Sequence, residues 1–506
     1  MPSRIDVTGP EDGHPVSKAA QRDNWRRAKA ELEHGGFFRQ AHAAAVERTT
    51  EAKLRDSICL LDFIPPAEHS RLRAGTSDYD AGEAIRRAIE TAVEPSTTWF
   101  NRAVYVPAGR YPIRSSGVFS YNPTGVLQGP IRWIGDGMLS TLLVLEPARD
   151  EDHWFYDSSP AQAYTLHGFT ALSFEAGGPF RHRACGFRIV SHGHEQFFRF
   201  VECGFGLDFQ RGSRLAKAFL LEGRGNGDKI SFHFCMFLDI HDYLMKIDNN
   251  QAVQNVFVGC VAERIRGDVF VVDGNNGGGA VQVYGGSWIW GWDAEEMKYL
   301  LRVRSGENTK ALYLFSALRP ELSNPNTFGR AGLLRREGEA GYIDAVFDAC
   351  DLSSGEGIHP PFEGLVVDAR TRVFFRHCRL HSDMTYRIAG TSPADRRLEE
   401  PGTIGFEGCA VPDDLSGKVR IESRCGRAYA RGCYRSLLDA APEPEAADFD
   451  LGWREPARSA RTVREKIAVL KAPTASWPSG ADGEADALAV SLPAGAVVTA
   501  VQVYKP

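Results

Sequence analysis

The feature that most constrains this 506-residue chain is a six-residue phrase written repeatedly, Phe-x-x-Cys-x-apolar. It reads FVECGF from Phe200, FHFCMF from Phe232, FVGCVA from Phe257, FDACDL from Phe347, FRHCRL from Phe375 and FEGCAV from Phe406. The interval between Cys260 and Cys350 has room for three repeats. Two degenerate copies fill it: VYGGSW puts Gly286, and LYLFSA puts Phe315, in the cysteine slot. Slots at 203, 235, 260, 286, 315, 350, 378 and 409 then lie 25 to 35 residues apart, a period that belongs to solenoids, propellers and similar arrays.

The offsets within each copy choose among these. Apolar residues fall at −5, −3, 0 and +2 from the cysteine, as in Ile230, Phe232, Cys235 and Phe237, or Ile404, Phe406, Cys409 and Val411. Each pair has period two, the mark of a short strand with one buried face. The odd step from −3 to 0 breaks the phase, so the chain must turn a corner there. Between copies, polar turn residues cluster, as in GRGNGD (223–228) and DGNNGGG (273–279), which argues against helices. Uneven intervals argue against a propeller or a leucine-rich repeat. The reading that remains is all-β, a parallel β-helix in which identical offsets stack about 4.8 Å apart on successive coils. Eight copies span roughly 34 Å of axis.

Composition narrows the setting. The net charge of −6, with no block of Lys or Arg, makes nucleic acid a poor partner. No run approaches 18 apolar residues, so no membrane insertion is expected. The first twenty residues lack the apolar core of a secretion signal, and folding in a cytoplasm is expected. Ten cysteines occur without a C-x-x-C pair or zinc-type Cys/His spacing. Six of them share one repeat slot, which reads as buried free thiols. No metal or cofactor is expected.

Ahead of the repeats stand LLDF (60–63), SDYDAGEAIRRAIETA (77–92), VYVPAGRYPI (104–113) and IRWIGDG (131–137). In that order they resemble the opening of the pectate-lyase-like superfamily of right-handed parallel β-helices, bacteriophage tailspikes included. The helix in this stretch also stands alone, because Ala84, Ile85, Ala88, Ile89 and Ala92 form one apolar face. The resemblance covers about 51–436 and implies right-handed coils with a helix capping the open end. It says little about chemistry, since the superfamily houses lyases, hydrolases, epimerases and inert spikes. Residues 1–50 contain PVSKAAQRDNWRRAKAELEHGG, with Ser17 as N-cap, Trp25, Ala28 and Leu32 on one face and Gly35-Gly36 as a stop. They resemble the segments by which phage tail proteins attach to the particle. Residues 437–506 combine a Pro/Glu/Ala-rich linker (440–449) with a tail too small for its own core, and read as a C-terminal oligomerisation region.

Chemistry is expected just past the corner, where successive coils carry Asp208, then Asp239 with His241 and Asp242, then Glu263 with Arg264 and Asp268. Carboxylates stacked on neighbouring coils raise one another's pKa, so stability does not favour them. Glycoside hydrolysis does, using a pair roughly 5–5.5 Å apart for retention or 6.5–9.5 Å for inversion. Asp239 and Glu263 are the expected catalytic acids, with Asp208 in reserve. GGSWIWGWD (285–293) offers Trp290 and Trp292 as sugar platforms, and His241 and Arg264 as further substrate contacts. The resemblance then implies a phage or prophage tailspike. It would be a homotrimer on the virion tail, made in the host cytoplasm and acting at the outer cell surface. Residues 1–50 would engage other tail or baseplate proteins. Such a spike binds and depolymerises a host surface polysaccharide, by hydrolysis rather than elimination; calcium would assist only a lyase. The rivals are a receptor-binding spike without catalysis and a free-standing polysaccharide lyase or epimerase.

Overall fold

The computed structural model describes residues 58–93 and 101–435 with short breaks, together with the strands Phe37–Phe38, Arg48–Thr49 and Ala447–Arg454. Most of the expected attachment segment, and residues 455–506, lie outside the described residues. The chain winds through three sheets, one per face of each coil. Sheet I runs from Ile58–Cys59 to Gly426–Arg435. Sheet II runs from Gly109–Ile113 to Arg319–Pro320 and continues through Asp351–Leu352, Arg379–Leu380 and Ala410–Val411. Sheet III holds ten strands, from His153–Asp157 to Val419–Ile421. Along each sheet a strand pairs in parallel with its counterpart one coil on, as Phe200 with Phe232 and Phe232 with Phe257. Each coil is a strand–crossover–strand connection, and the crossover is right-handed.

Identical slots meet inside. Phe169, Phe200, Phe232 and Phe257 stack with ring centroids 4.4 to 5.4 Å apart. Phe315, Phe347, Phe375 and Phe406 form a second run at 5.0 to 5.3 Å. Val283 interrupts the two. Burying each ring contributes about 1.5–3 kcal/mol, so this column is the main apolar spine of sheet I.

The phase break has a backbone cause. The residue before the cysteine slot adopts left-handed backbone on ten coils: Ala171, Glu202, Phe234, Gly259, Gly285, Ala317, Ala349, His377, Gly408 and Gly432, with φ from 51° to 73°. One left-handed residue rotates the next side chain back inward as sheet I passes into sheet II. Six of these positions are not glycine, and each costs about 1–2 kcal/mol of local strain that the packing on both sides offsets. Cys203, Cys235, Cys260, Cys350, Cys378 and Cys409 fill the slot, buried and unbridged. Cys433 extends the column, its thiol 3.3 Å from the carbonyl of Phe406. One expected slot moves. Phe315 pairs with Val283 and Phe347 and so belongs to the phenylalanine column, while Leu318 takes the cysteine slot between Gly286 and Cys350. The aromatic in LYLFSA is the −3 residue of its coil, and the corner comes after it.

The helix Gly82–Ala92 buries Ala84, Ile85, Ala88, Ile89 and Ala92 and packs on the turns Leu60–Phe63 and Val118–Ser120. Asp80 holds its start, Oδ1 accepting from the N–H groups of Gly82 (3.0 Å) and Arg114 (3.1 Å). At the other end Ala447–Arg454 pairs antiparallel with Gly426–Arg435 and occupies that strand's free side. Ala447, Asp448 and Phe449, read as linker, therefore belong to a strand.

Candidate active site

The acids singled out past the first corner are held in different states. Asp239 is 3% exposed. Its Oδ1 accepts from Nε of Arg266 at 2.7 Å, and its Oδ2 lies 3.2 Å from Nε of Arg214. Arg214 comes from the coil before and Arg266 from the coil after, so this carboxylate staples three coils. Enclosed in this way it cannot reach a polymer, and the expectation that it is a catalytic acid is corrected. Glu263 is exposed and makes no ion pair among the described residues. Asp208 is half-buried, 3.7 Å from Arg211, with its N–H donated to the buried Glu175 at 2.9 Å. Burial pushes the Glu175 carboxyl up, against hydrogen bonds from Ser173, Ser213 and two backbone N–H groups. No ion pair or hydrogen bond joins the side chains of Asp208, Asp239 and Glu263 among the described residues.

Trp290 is also corrected. It is 1% exposed and its indole N–H donates to the carbonyl of Gly332 at 3.0 Å. The register runs Ala262 to Trp288 and then Ile265 to Trp290, so Val261–Ile265 carries one extra residue, with Arg264 left-handed at φ 55°. That bulge keeps both tryptophans in the core. Trp292 stays half-buried at the surface, with the Arg264 guanidinium 5.3 Å from its ring centroid. His241 is exposed, and its hydrogen bond to Asp242 (2.8 Å) holds its pKa above the usual histidine value.

Sheet III assembles what that corner does not. Its strands Lys217–Gly223, Tyr243–Asn249 and Asp268–Val272 are consecutive neighbours. Glu222 stands in register with Asp248, and Asp273 follows on the next coil, its N–H donated to the carbonyl of Ile247 at 2.9 Å. Ile247 points inward and is fully buried, so Lys246 and Asp248 face out. Three carboxylates thus line up on three coils, about 4.8 Å per step. The outer two are ion-paired: Glu222 with Arg188 at 2.7 Å, Asp273 with Lys246 at 2.9 Å and Arg304 at 3.4 Å. Among the described residues Asp248 has no such partner, and its Oδ1 is buried without a hydrogen bond. Burial, then the charges of Asp273 and Glu222, raise its pKa against the opposing pull of Lys246. A carboxyl biased toward its protonated form beside carboxylates matched to cations is the arrangement that separates an acid from its partner.

A local signal for this ladder exists. FLLEG, MKIDNN and FVVDGNN each place an acid within one residue of a strand's end, followed by Gly or Asn, on three coils in succession. Phe234 was also missed. It is 58% exposed, left-handed, and lies across Gly259, where a Cβ would come within 2.8 Å of its ring. A cleft of about 600 Å³ at the cap end includes Arg73, Tyr105 and Asp136. Asp136 is the one carboxylate in its lining, and it already binds Tyr105 Oη (2.6 Å) and the N–H of Ala108 (2.7 Å), so the two acids of hydrolysis are not there. Among the described residues no group of three or more His, Cys, Asp or Glu could hold a metal ion, and no helix is long and apolar enough to cross a membrane.

No protein-family model and no curated protein matches the chain. Among solved structures it is similar to tailspike protein 3 of bacteriophage CBA120, at 14% identity over 84% of this chain and 70% of that one, TM-score 0.38. The Agl-KA catalytic domain aligns at 12% identity over 78% and 70%, TM-score 0.43. A tailspike mutant of the E. coli bacteriophage HK620, in complex with a hexasaccharide, aligns at 11% over 81% and 86%, TM-score 0.35. Likenesses this distant say nothing of activity; the architecture rests on the chain's own register. By its stacked coils, its left-handed corner and its helical cap, the chain is a right-handed parallel β-helix protein.

Proposed function

We propose that this protein is a tailspike-type depolymerase that binds a host surface polysaccharide on the outer face of sheet III and hydrolyses it. The observation that carries this reading is the Glu222–Asp248–Asp273 ladder, in which Asp248, with Oδ1 buried without a hydrogen bond and its pKa raised, stands between two ion-paired carboxylates. Asp248 donates its proton to the glycosidic oxygen as the bond to the anomeric carbon breaks. A neighbouring carboxylate attacks that carbon and forms a glycosyl ester. Asp248, now ionised, takes a proton from water, and the hydroxide displaces the ester. Either neighbour is one coil away, about 4.8 Å, close to the 5–5.5 Å of retaining enzymes and short of the roughly 6.5–9.5 Å of inverting ones. Retention of anomeric configuration is therefore expected, and NMR of the first product formed reads it directly; an inverted first product excludes this pairing.

The deciding experiment incubates the purified protein with host capsule, exopolysaccharide and lipopolysaccharide and measures reducing ends. Release that disappears in Asp248→Asn supports the reading. Tight binding with no release by the unmodified protein overturns hydrolysis in favour of a receptor-binding spike. In this reading the protein is a homotrimer on a virion tail, supported by the exposed Phe234, Tyr284, Leu312 and Tyr342 on the sheet I side, which a second copy would cover. A stable monomer at micromolar concentration in analytical ultracentrifugation would sink the trimer. Attachment through residues 1–50 concerns a segment mostly outside the described residues.

A further inference from the structure

Asp248 has two carboxylates within one coil, and their cations are placed unequally. Glu222 is held by Arg188, Nε to Oε2 at 2.7 Å, and Arg188 also lies 4.0 Å from Asp157. Arg188 belongs to the coil before Glu222, so its charge stands on the side away from Asp248. Asp273 is held from two coils: Lys246 Nζ lies 2.9 Å and Arg304 Nη1 3.4 Å from the same oxygen, Oδ2. Lys246 precedes Asp248 by two residues and faces out beside it. Its row neighbours are Leu220 on the coil before and Val271 on the coil after, so Glu222 has Leu220 where Asp248 has Lys246. The groups whose charge acts on Asp248 are Lys246 from its own strand, Asp273 from the next coil and Glu222 from the coil before.

A carboxylate that attacks an anomeric carbon must keep its charge one coil from an acid that keeps its proton. A cation close by stabilises that charge, and Asp273 has two where Glu222 has one among the described residues. Lys246 has a second consequence, because it stands between both acids of the reaction. While Asp273 is ionised, Lys246 pairs with it. Once Asp273 is esterified its charge is gone. The ammonium is then left beside Asp248 at the stage where Asp248 must be ionised to take a proton from water.

We propose that Asp273 is the carboxylate that attacks the anomeric carbon, and that Lys246 is a positioning residue shared by Asp273 and Asp248 in the two halves of the reaction. The proposal rests on the reading of the Asp248 ladder as the cleavage site. In the first half the glycosidic C–O bond breaks, the leaving oxygen takes the Asp248 proton, and Asp273 forms the ester. In the second, water gives a proton to Asp248, its oxygen bonds to the anomeric carbon, and Asp273 leaves as the carboxylate that Lys246 holds. Ionisation of Asp248 then sets the alkaline limit of activity, and Lys246 holds that limit down.

Reducing-end release is measured with the full chain on whichever of host capsule, exopolysaccharide and lipopolysaccharide the unmodified protein cleaves. Asp273→Ala should lose about 10³-fold or more, and so should Asp273→Asn, which keeps the shape of the side chain. Sodium azide should restore part of the rate to Asp273→Ala, its nitrogen bonding to the anomeric carbon as the leaving oxygen takes the Asp248 proton. The product is a glycosyl azide inverted relative to the substrate, which NMR identifies. Azide should give no adduct with Glu222→Ala. Lys246→Met should lower kcat with KM within a few-fold, and move the alkaline limb of kcat/KM up by about half a pH unit or more. Lys246→Arg should return both towards the parent. Urea unfolding reads Lys246 without any substrate. The folded state holds the Asp248 proton more tightly than the unfolded chain, so stability falls as pH rises through the folded value. In Lys246→Met that fall should extend to higher pH, and in the Asp248→Asn background it should not. An adduct from Glu222→Ala, or none from a folded Asp273→Ala, overturns the assignment of Asp273. An alkaline limb that Lys246→Met leaves in place overturns the role of Lys246. The two readings fail separately. No release from any of the three glycans, or release that survives Asp248→Asn, removes the hydrolase site and the assignment of Asp273 with it. Release that is lost in Asp248→Asn but survives Asp273→Asn keeps the hydrolase site and removes the assignment alone.

Discussion

Replacing Asp248 with Asn removes an ionisable proton and changes almost nothing in shape, and under the proposed function it has opposite effects on activity and stability. Losing a general acid costs about 10²–10⁴ in turnover, roughly 2.7–5.4 kcal/mol of barrier at about 1.36 kcal/mol per decade. Stability moves the other way. The folded pKa of Asp248 is raised by burial, Asp273 and Glu222, so the native state holds this proton more tightly than the unfolded chain does. Stability therefore falls as pH rises from the unfolded carboxyl value, about 3.9, through the higher folded value, and remains lower above it. Two like-charge rungs, Glu222 to Asp248 and Asp248 to Asp273, act in that upper range. At about 0.2–1 kcal/mol each, less the attraction to Lys246 that is lost with the charge, the Asn variant should gain at most about 2 kcal/mol at pH 7 and little at pH 4. Urea unfolding at the two pH values reads the gain, and reducing-end release reads the loss. A variant that is less stable at pH 7 would show Asp248 to be a structural carboxylate. One that cleaves at the unmodified rate would refute the acid.

Three further outcomes follow from the same coils. Asp239→Asn leaves Arg214 and Arg266 without their shared, buried partner, so it should cost about 3–5 kcal/mol in unfolding while turnover at permissive temperature stays within a few-fold; lost turnover in a fully stable variant would return Asp239 to the site. Phe232→Ala empties a position stacked 5.1 Å from Phe200 and 4.4 Å from Phe257, and should cost about 3–5 kcal/mol in urea melts; a loss under 1 kcal/mol would mean that the column does not carry the core. The thiols of the corner column should be silent to a thiol reagent in the folded protein and all react in denaturant, since they are buried; the hydrogen bond with the thiol one coil before, and then burial, also push Cys378 and Cys409 up to about 12.

What was legible from sequence is what lies on the inner surface of the coils. Phe232 and Phe257 announce themselves because each sits three residues before a cysteine, and stacking then follows from identical offsets. The corner was legible as a break of phase, and left-handed backbone at Phe234 or Ala349 is what a break of phase becomes in φ. Leu318 rather than Phe315 in the cysteine slot also satisfies the repeat's offsets, with Tyr313 and Phe315 five and three residues before it, and the pairing of Tyr284 with Ser316 decides between the two. The outer surface follows a different rule, because its chemistry depends on which coils touch. Glu222 and Asp248 are 26 residues apart in sequence and face one another only through the register of two strands. Asp239 looks like a free acid until Arg214 and Arg266 arrive from the coils on either side. A single bulged residue near Arg264 decides whether Trp290 meets sugar or core. On a solenoid the inner face repeats and can be read from one copy. An outward carboxylate takes its protonation from the residues one coil above and one below, so an active site on this fold is a property of three coils at once.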